Sequence, residues 1–232
     1  MTPIDDLDWP AVSGALDDVG CATTDTVLTG AECDVIAGLY DDDSRFRSTV
    51  NMAQHQFGQG EYRYFAHPLP SLVDEVRAAF WPHLLPIARA WADRWGRSSE
   101  WPDSFDEWLE RCHAAGQTKP TPLILSYGPG DWNALHRDLY GDLVFPLQVV
   151  IGLDEPGVDY TGGEFVIVEQ RPRAQSRATA TMIERGQAVV FTTRERPMRS
   201  SRGWSTVSVR HGASVLRSGR RRCLGLIFHD AA

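Results

Sequence analysis

The segment ALHRDLYGDL (residues 134–143) decides how the chain is read. His-Arg-Asp-Leu opens the catalytic loop of protein kinases, which runs on to a metal-holding asparagine seven positions after the histidine. Here that position is Leu143, and no Asp-Phe-Gly occurs. In GQGEYR (58–63) the third glycine of a phosphate loop is replaced by Arg63, so the kinase reading fails. The alternative is geometric. On an extended strand, residues i and i+2 project from one face. His136 and Asp138 then offer an imidazole nitrogen and a carboxylate oxygen to a single ion.

Working outward, the chain after KPTP (119–122) breaks into short β-branched runs separated by turns: LILSY, FPLQVVIGL, EFVIVEQ, ATATMI, QAVVFTT, STVSVR and RRCLGLIFHD. That spacing predicts a β-sandwich or barrel. Pro146 falls near the start of its run, where a missing N–H is tolerable. Before it, the chain reads as mainly helical. DWPAVSGALDDVG (8–20) ends at Gly20, and a short strand follows in ATTDTVL (22–28). Thr29 suits an N-cap for GAECDVIAGLY. SLVDEVRAAFWPHLLPIARAWADRWG (71–96) is the longest helical pattern, with Ser71 as its cap. Pro82 and Pro86 are expected to kink or divide it. SFDEWLERCHAAG (104–116) is a further amphipathic helix. We therefore expect an α+β fold in one domain, residues 1–232. Residues 1–120 would be mainly helical support and 121–232 a jelly-roll core, a double-stranded β-helix.

The seven histidines are 55, 67, 83, 113, 136, 211 and 229. Four belong to the helical half. His211 closes the alternating run STVSVR, as His136 closes its own, while His229 lies at the far end of the last strand. His136, Asp138 and His211 thus make a candidate two-His-one-carboxylate set, which leaves open metal positions and suits non-haem Fe(II) oxygen chemistry. Ten residues past His211, positions 221, 223, 225 and 227 share a strand face occupied by Arg, Cys, Gly and Ile. An arginine on an enclosed face is costly unless an anion meets it. A dicarboxylate supplies the bidentate partner that guanidinium fits. Arg220 and Arg222 point outward on this register, and a one-residue slip would exchange them with Arg221.

Composition sets the boundaries. No run of 18 apolar residues exists, so nothing is expected to span a membrane. The acidic start MTPIDDLDWP lacks a charged-then-apolar pattern, so export is not expected. Four dispersed cysteines (21, 33, 112, 223) make no Cys-x-x-Cys pair and point to free thiols in a reducing cytoplasm. The net charge is −8, but residues 171–222 hold 13 Arg against two acids, while the rest holds 10 basic and 29 acidic residues. Such asymmetry marks either a polyanion-binding face or arginines paired to the acidic half.

With these residues in place, the ordered series HRD…DYTGGEF…GQAVVF…VRHG…SGRRRCLGLIFHD resembles the 2-oxoglutarate- and Fe(II)-dependent oxygenases, in particular the prolyl-hydroxylase-like branch. His136, Asp138, Gly162-Gly163-Glu164, Val190-Phe191, His211 and Ser218-Gly219-Arg220-Arg221 match its motifs in order. Over nearly its full length the chain is also similar to a narrower bacterial oxygenase family described as oxidative dealkylases of damaged DNA, related to AlkB. The resemblance implies Fe(II) on His136, Asp138 and His211, with 2-oxoglutarate chelating it and Arg221 holding the far carboxylate. O2 would be consumed as a C–H bond is hydroxylated, with release of succinate and CO2. Relatives carry a tyrosine on the strand after His-x-Asp. Here that stretch is VVIGL, so Tyr127 on LILSY or Gln148 in FPLQVVIGL is the expected replacement.

The substrate stays open among a small molecule, a peptide and an alkylated nucleic acid. GQGEYRYFAHPLP (58–70) reads as a lid carrying Tyr62, Tyr64 and Phe65, or as core aromatics from an irregular strand. RERPMRSSRGW (194–204) reads as a long basic loop. Two other classes compete: a non-oxidative cupin-type metal protein, which has no need of an anion anchor at Arg221, and a nucleic-acid-binding module using the arginine-rich half. No Gly-x-Ser-x-Gly occurs, so hydrolase chemistry has no support.

Overall fold

The computed structural model describes residues 4–138, 140–171, 173–201 and 203–232. The helices are α1 (Trp9–Val19), α2 (Gly30–Gly38), α3 (Ser71–Trp95) and α4 (Phe105–Ala114). The strands of the first half are β1 (Cys21–Thr26), β2 (Phe46–Asn51), β3 (Gly58–Gln59), β4 (Glu61–Phe65) and, after α4, β5 (Leu123–Tyr127). There follow β6 (Trp132–His136), β7 (Leu147–Gly152), β8 (Tyr160–Gly162), β9 (Phe165–Gln170) and β10 (Arg177–Thr181). The chain ends with β11 (Gln187–Thr192), β12 (Glu195–Ser200), β13 (Gly203–Ala213), β14 (Leu216–Gly219) and β15 (Arg221–Ile227).

Two antiparallel sheets face each other. The major sheet has the order β1-β11-β7-β15-β5-β4-β2, and the minor sheet β10-β9-β13-β6-β3 with β12 paired to β13. Alternation along the central strands shows what each face does. Leu147, Val149 and Ile151 of β7, with Leu224 and Leu226 of β15, join the helices in the larger core. Val150 and Cys223 face the other way, into a cluster with Phe165, Ile167, Val207 and Val209 of the minor sheet. The two strands are buried on both sides, which is why they read as near-continuous apolar runs.

α3 lies on the helical side of the major sheet and packs its face Val73, Val76, Phe80, Trp81, Leu84 and Trp91 into that core. Trp81 anchors it, stacking on Phe145 and Phe105 with ring centroids 4.6 and 5.1 Å apart. Contrary to the sequence expectation, Pro82 and Pro86 leave α3 a single helix of 25 residues. Both prolines are exposed. Ala78, four residues before Pro82, is exposed as well, so the prolines lie on the solvent side of the helix, while the opposite face is fixed by the core. Ser71 is not the cap either: Pro70 holds that position without a side-chain bond. Thr29 caps α2 as expected, in a full capping box with Glu32, worth about 1 kcal/mol.

The first half is less helical than expected, because β1 to β4 all join the sheets. The segment read as a lid is β3 and β4. Phe65 is fully buried and stacks on Phe46 at 4.8 Å. The basic stretch 194–204 is no loop but the β12–β13 hairpin, with Arg202 outside the described residues. Part of the arginine-rich region is engaged in ion pairs. Buried Glu169 takes Arg171, Arg177 and Arg196 at 2.9, 3.0 and 2.5 Å. Arg222 pairs with Asp154 and Arg185 with Asp34.

Candidate metal centre

The space between the sheets opens into a cavity of about 250 Å³. His136 is the last residue of β6, and Asp138 follows it just beyond the strand. His211 lies on β13 in direct register with His136. The strands can approach here because the next residue is Gly212, where a Cβ would stand 2.5 Å from the Asn133 carbonyl oxygen. The two rings lie 4.3 Å apart. Asp138 Oδ1 is 3.5 Å from His136 Nε2, and Oδ2 is 3.1 Å from His211 Nε2. One donor atom from each of the three residues falls within 4.8 Å of the others. The three positions singled out in the sequence are therefore brought together.

His136 Nδ1 is 2.8 Å from the Ala134 carbonyl, which can only accept. Nδ1 therefore carries a proton, and Nε2 is the nitrogen turned toward Asp138 and the cavity. Burial alone would raise the Asp138 carboxyl, yet hydrogen bonds from His136 and His211 outweigh it and hold it well below the usual carboxylate range. Burial pushes the His211 imidazole below its ordinary value. It acts the same way on His136, but there the bond to Asp138 prevails and the value rises. A deprotonated carboxylate beside two imidazoles is a donor set that suits a divalent transition metal.

Arg221 opens β15 on the opposite sheet and faces the same cavity, 4 % exposed. The register is the one read from the sequence, since Arg220 is exposed and Arg222 pairs outward with Asp154. Its stem crosses the Gly162-Gly163 turn, and a Cβ on Gly163, whose φ is +69°, would meet Arg221 Cδ at 3.0 Å. Tyr127 is the direct cross-strand neighbour of Arg221, its ring 5.5 Å beneath the guanidinium. The Tyr127 hydroxyl accepts from Asn133 Nδ2 at 3.3 Å. Gln148 projects from β7 into the cavity, 2 % exposed. Among the described residues, Arg221 Nε and Gln148 Nε2 are buried with no hydrogen-bond partner, and no carboxylate forms an ion pair with Arg221. Buried donors left unmade in this way mark a missing acceptor. A small carboxylate beside the ion fits them.

Sequence reasoning missed the outer support of the carboxylate. Tyr140 donates to Asp138 Oδ1 at 2.8 Å, and Tyr64 donates to Tyr140 at 3.1 Å. The signal was within the opening segment, two residues past Asp138. Tyr62 and Tyr64 line the cavity, as does Phe57, which is 47 % exposed. His229, the other late histidine, is buried in the helical-side core, where its Nδ1 accepts from the Phe145 N–H.

Comparison with known proteins agrees with this geometry. The model of the Oxygenase-NA family, described as "Oxygenase, catalysing oxidative methylation of damaged DNA", matches residues 60–231. The chain belongs to the Oxygenase-NA family. Uncharacterized protein Rv2227 of Mycobacterium tuberculosis strain H37Rv is 62 % identical over 168 residues, 72 % of each chain. In fold, this Oxygenase-NA member is similar to a Pseudomonas putida prolyl-4-hydroxylase. The TM-score is 0.58 at 16 % identity, over 94 % of this chain and 96 % of the other. It is also similar to an oxidoreductase of the 2OG-Fe(II) oxygenase family from Burkholderia pseudomallei. Here the TM-score is 0.55 at 15 % identity, over 97 % and 92 %. The fold is thus the double-stranded β-helix of those proteins, and the family description makes this chain an oxygenase. No helix among the described residues is long and apolar enough to cross a membrane.

Proposed function

We propose that the protein binds Fe(II) through His136, Asp138 and His211 and 2-oxoglutarate through Arg221, and uses them to hydroxylate a C–H bond of a damaged nucleobase. The observation that carries this reading is Arg221: a buried guanidinium without a carboxylate partner, lining the same cavity as the three ligating side chains. A non-oxidative cupin-type site gives no account of that cation.

When bound, metal and cosubstrate supply the oxidising power, with O2 and 2-oxoglutarate consumed to succinate and CO2. The chain supplies position and charge. Arg221 meets the far carboxylate, where a bidentate guanidinium bond fixes orientation as well as affinity. Tyr127 sits under that guanidinium, and its hydroxyl and the Gln148 amide offer further donors to the same cosubstrate. Tyr140 fixes the Asp138 carboxylate, and the Ala134 carbonyl fixes the His136 tautomer. Val150, Phe165 and Phe191 close the inner end against water.

The base assignment rests on the family description and on the aromatic side chains Phe57, Tyr62 and Tyr64 at the cavity, with exposed Arg137 beside them. Bases stack on such rings whatever their identity. On an N-alkyl group, hydroxylation of the carbon beside nitrogen gives a carbinolamine. The C–N bond then breaks, and the alkyl carbon leaves as an aldehyde.

Two measurements test the reading. Metal-free protein given Fe(II) and 2-oxoglutarate without oxygen should show a weak visible charge-transfer band that His136→Ala abolishes. Alkylated oligonucleotides, free amino acids and peptides should then be compared for substrate-dependent succinate release. Release driven by peptides or amino acids alone would replace the nucleobase, and a flat spectrum unaltered by His136→Ala would remove the metal centre.

A further inference from the structure

A second group of the same composition lies away from the cavity. His67 sits between β4 and α3, His113 in the last turn of α4, and Asp230 beyond β15. Asp230 Oδ2 is 2.9 Å from His113 Nε2 and 3.7 Å from His67 Nε2. One donor atom from each residue falls within 4.8 Å of the others. The imidazoles are exposed, at 46 % and 40 %, while the carboxylate beneath them is fully buried. An ion can therefore enter from solvent without any opening of the protein.

The carboxylate is held in place from behind. Arg77, completely buried on α3, donates to Asp230 Oδ1 at 3.0 Å and to the Ile227 carbonyl at 2.8 Å. Gln117 donates to the Asp230 main-chain carbonyl at 2.7 Å, and the backbones of Lys119 and Ala231 exchange hydrogen bonds at 3.0 and 2.8 Å. Such outer bonds are what orient a ligating side chain. They engage Oδ1 and leave Oδ2 to the two imidazoles.

We propose that His67, His113 and Asp230 form a second divalent-metal site of the zinc class, separate from the catalytic centre. Two imidazole nitrogens and one carboxylate oxygen with an open outward position match zinc's preference for mixed N and O donors and four-coordination. Calcium and magnesium favour oxygen donors alone. Arg77 offsets the carboxylate charge, so this site binds zinc more weakly than the triad at Asp138, whose carboxylate has no arginine. Occupation ties three segments together: the approach to α3, the end of α4, and the chain immediately after β15. Without the ion, His113 hydrogen-bonds the buried Asp230 while His67 stands 3.7 Å from it, and stoichiometry separates the two states.

The experiment is equilibrium dialysis of full-length, metal-free protein against Zn(II), with metal counted per chain. The His136→Ala/His211→Ala protein should keep one equivalent of zinc, and adding either His67→Ala or His113→Ala should remove it. Zn(II) should raise the melting temperature of the double variant and leave that of the triple variants unchanged. Cobalt(II) should give the double variant visible d–d bands that vanish with His67→Ala. The site is refuted if the double variant holds no zinc, or if its zinc survives both histidine substitutions. The His67→Ala protein reports separately on the catalytic centre, because the zinc it retains should be lost with His136→Ala.

Discussion

Two His-His-Asp groups in one chain show how little composition decides. At His136, Asp138 and His211 the carboxylate pairs with no arginine among the described residues, the side chains line a cavity between sheets, and the Arg221 guanidinium lies across it. At His67, His113 and Asp230 the carboxylate is backed by Arg77 and the imidazoles face solvent. The first arrangement can enclose a small anion beside an ion and keep water out. The second can hold an ion but offers no chamber for a reaction. What distinguishes a reaction centre from a surface clamp here is the space in front of the ligands and the charge behind them.

The largest effect that would break this contrast is loss of the inner ligands. Asp138→Ala or His211→Ala should reduce succinate release by more than the roughly 100-fold that marks an outer-shell change, whereas His113→Ala should leave it unchanged. Arg77→Met removes one partner of a buried ion pair and should lower stability by about 3–5 kcal/mol, read as a drop in denaturation midpoint. The Fe(II)·2-oxoglutarate spectrum of folded Arg77→Met protein should be unaltered, while its surface site, relieved of the cation, takes zinc more tightly. Arg221→Gln should raise the KM for 2-oxoglutarate by about 100-fold, in line with truncating one side of a buried, hydrogen-bonded charge pair. Tyr140→Phe removes the hydroxyl that holds Asp138 and should weaken metal affinity by about tenfold, with a shifted charge-transfer maximum. Arg220→Ala should change stability by no more than about 0.5 kcal/mol and leave cosubstrate binding alone, since that guanidinium is exposed and lies over Tyr40 at 5.2 Å.

How much was legible follows the same physics. The second half announced its strands because they are buried and bounded by turns, and the order His, Asp, His, Arg survives any error in strand ends. Arg221 was assigned its face by period-two alternation alone, and the structure places it there. β2 to β4 were hard to see because they are short and carry polar residues such as Arg47, Ser48 and Arg63. Pro82 and Pro86 do not divide α3: local rules count lost hydrogen bonds and ignore the tertiary packing that keeps α3 continuous. Tyr140 and Asp230 were silent for another reason: neither belongs to a periodic element, so nothing in the spacing reveals what their side chains reach. His67 and His113 were set aside with the helical half, and only folding brings them to Asp230.

The candidate ligands belong to the minor sheet, His136 at the end of β6, Asp138 just past it and His211 on β13, while Arg221, Tyr127 and Gln148 belong to the major one. On the function proposed above, a dicarboxylate held by the ion at one end and by Arg221 at the other would be a crossbar between the two layers. Loading it should couple their breathing: amide hydrogens on β13 and β15 should slow their exchange with solvent together, and an Arg221→Gln protein should lose that joint slowing.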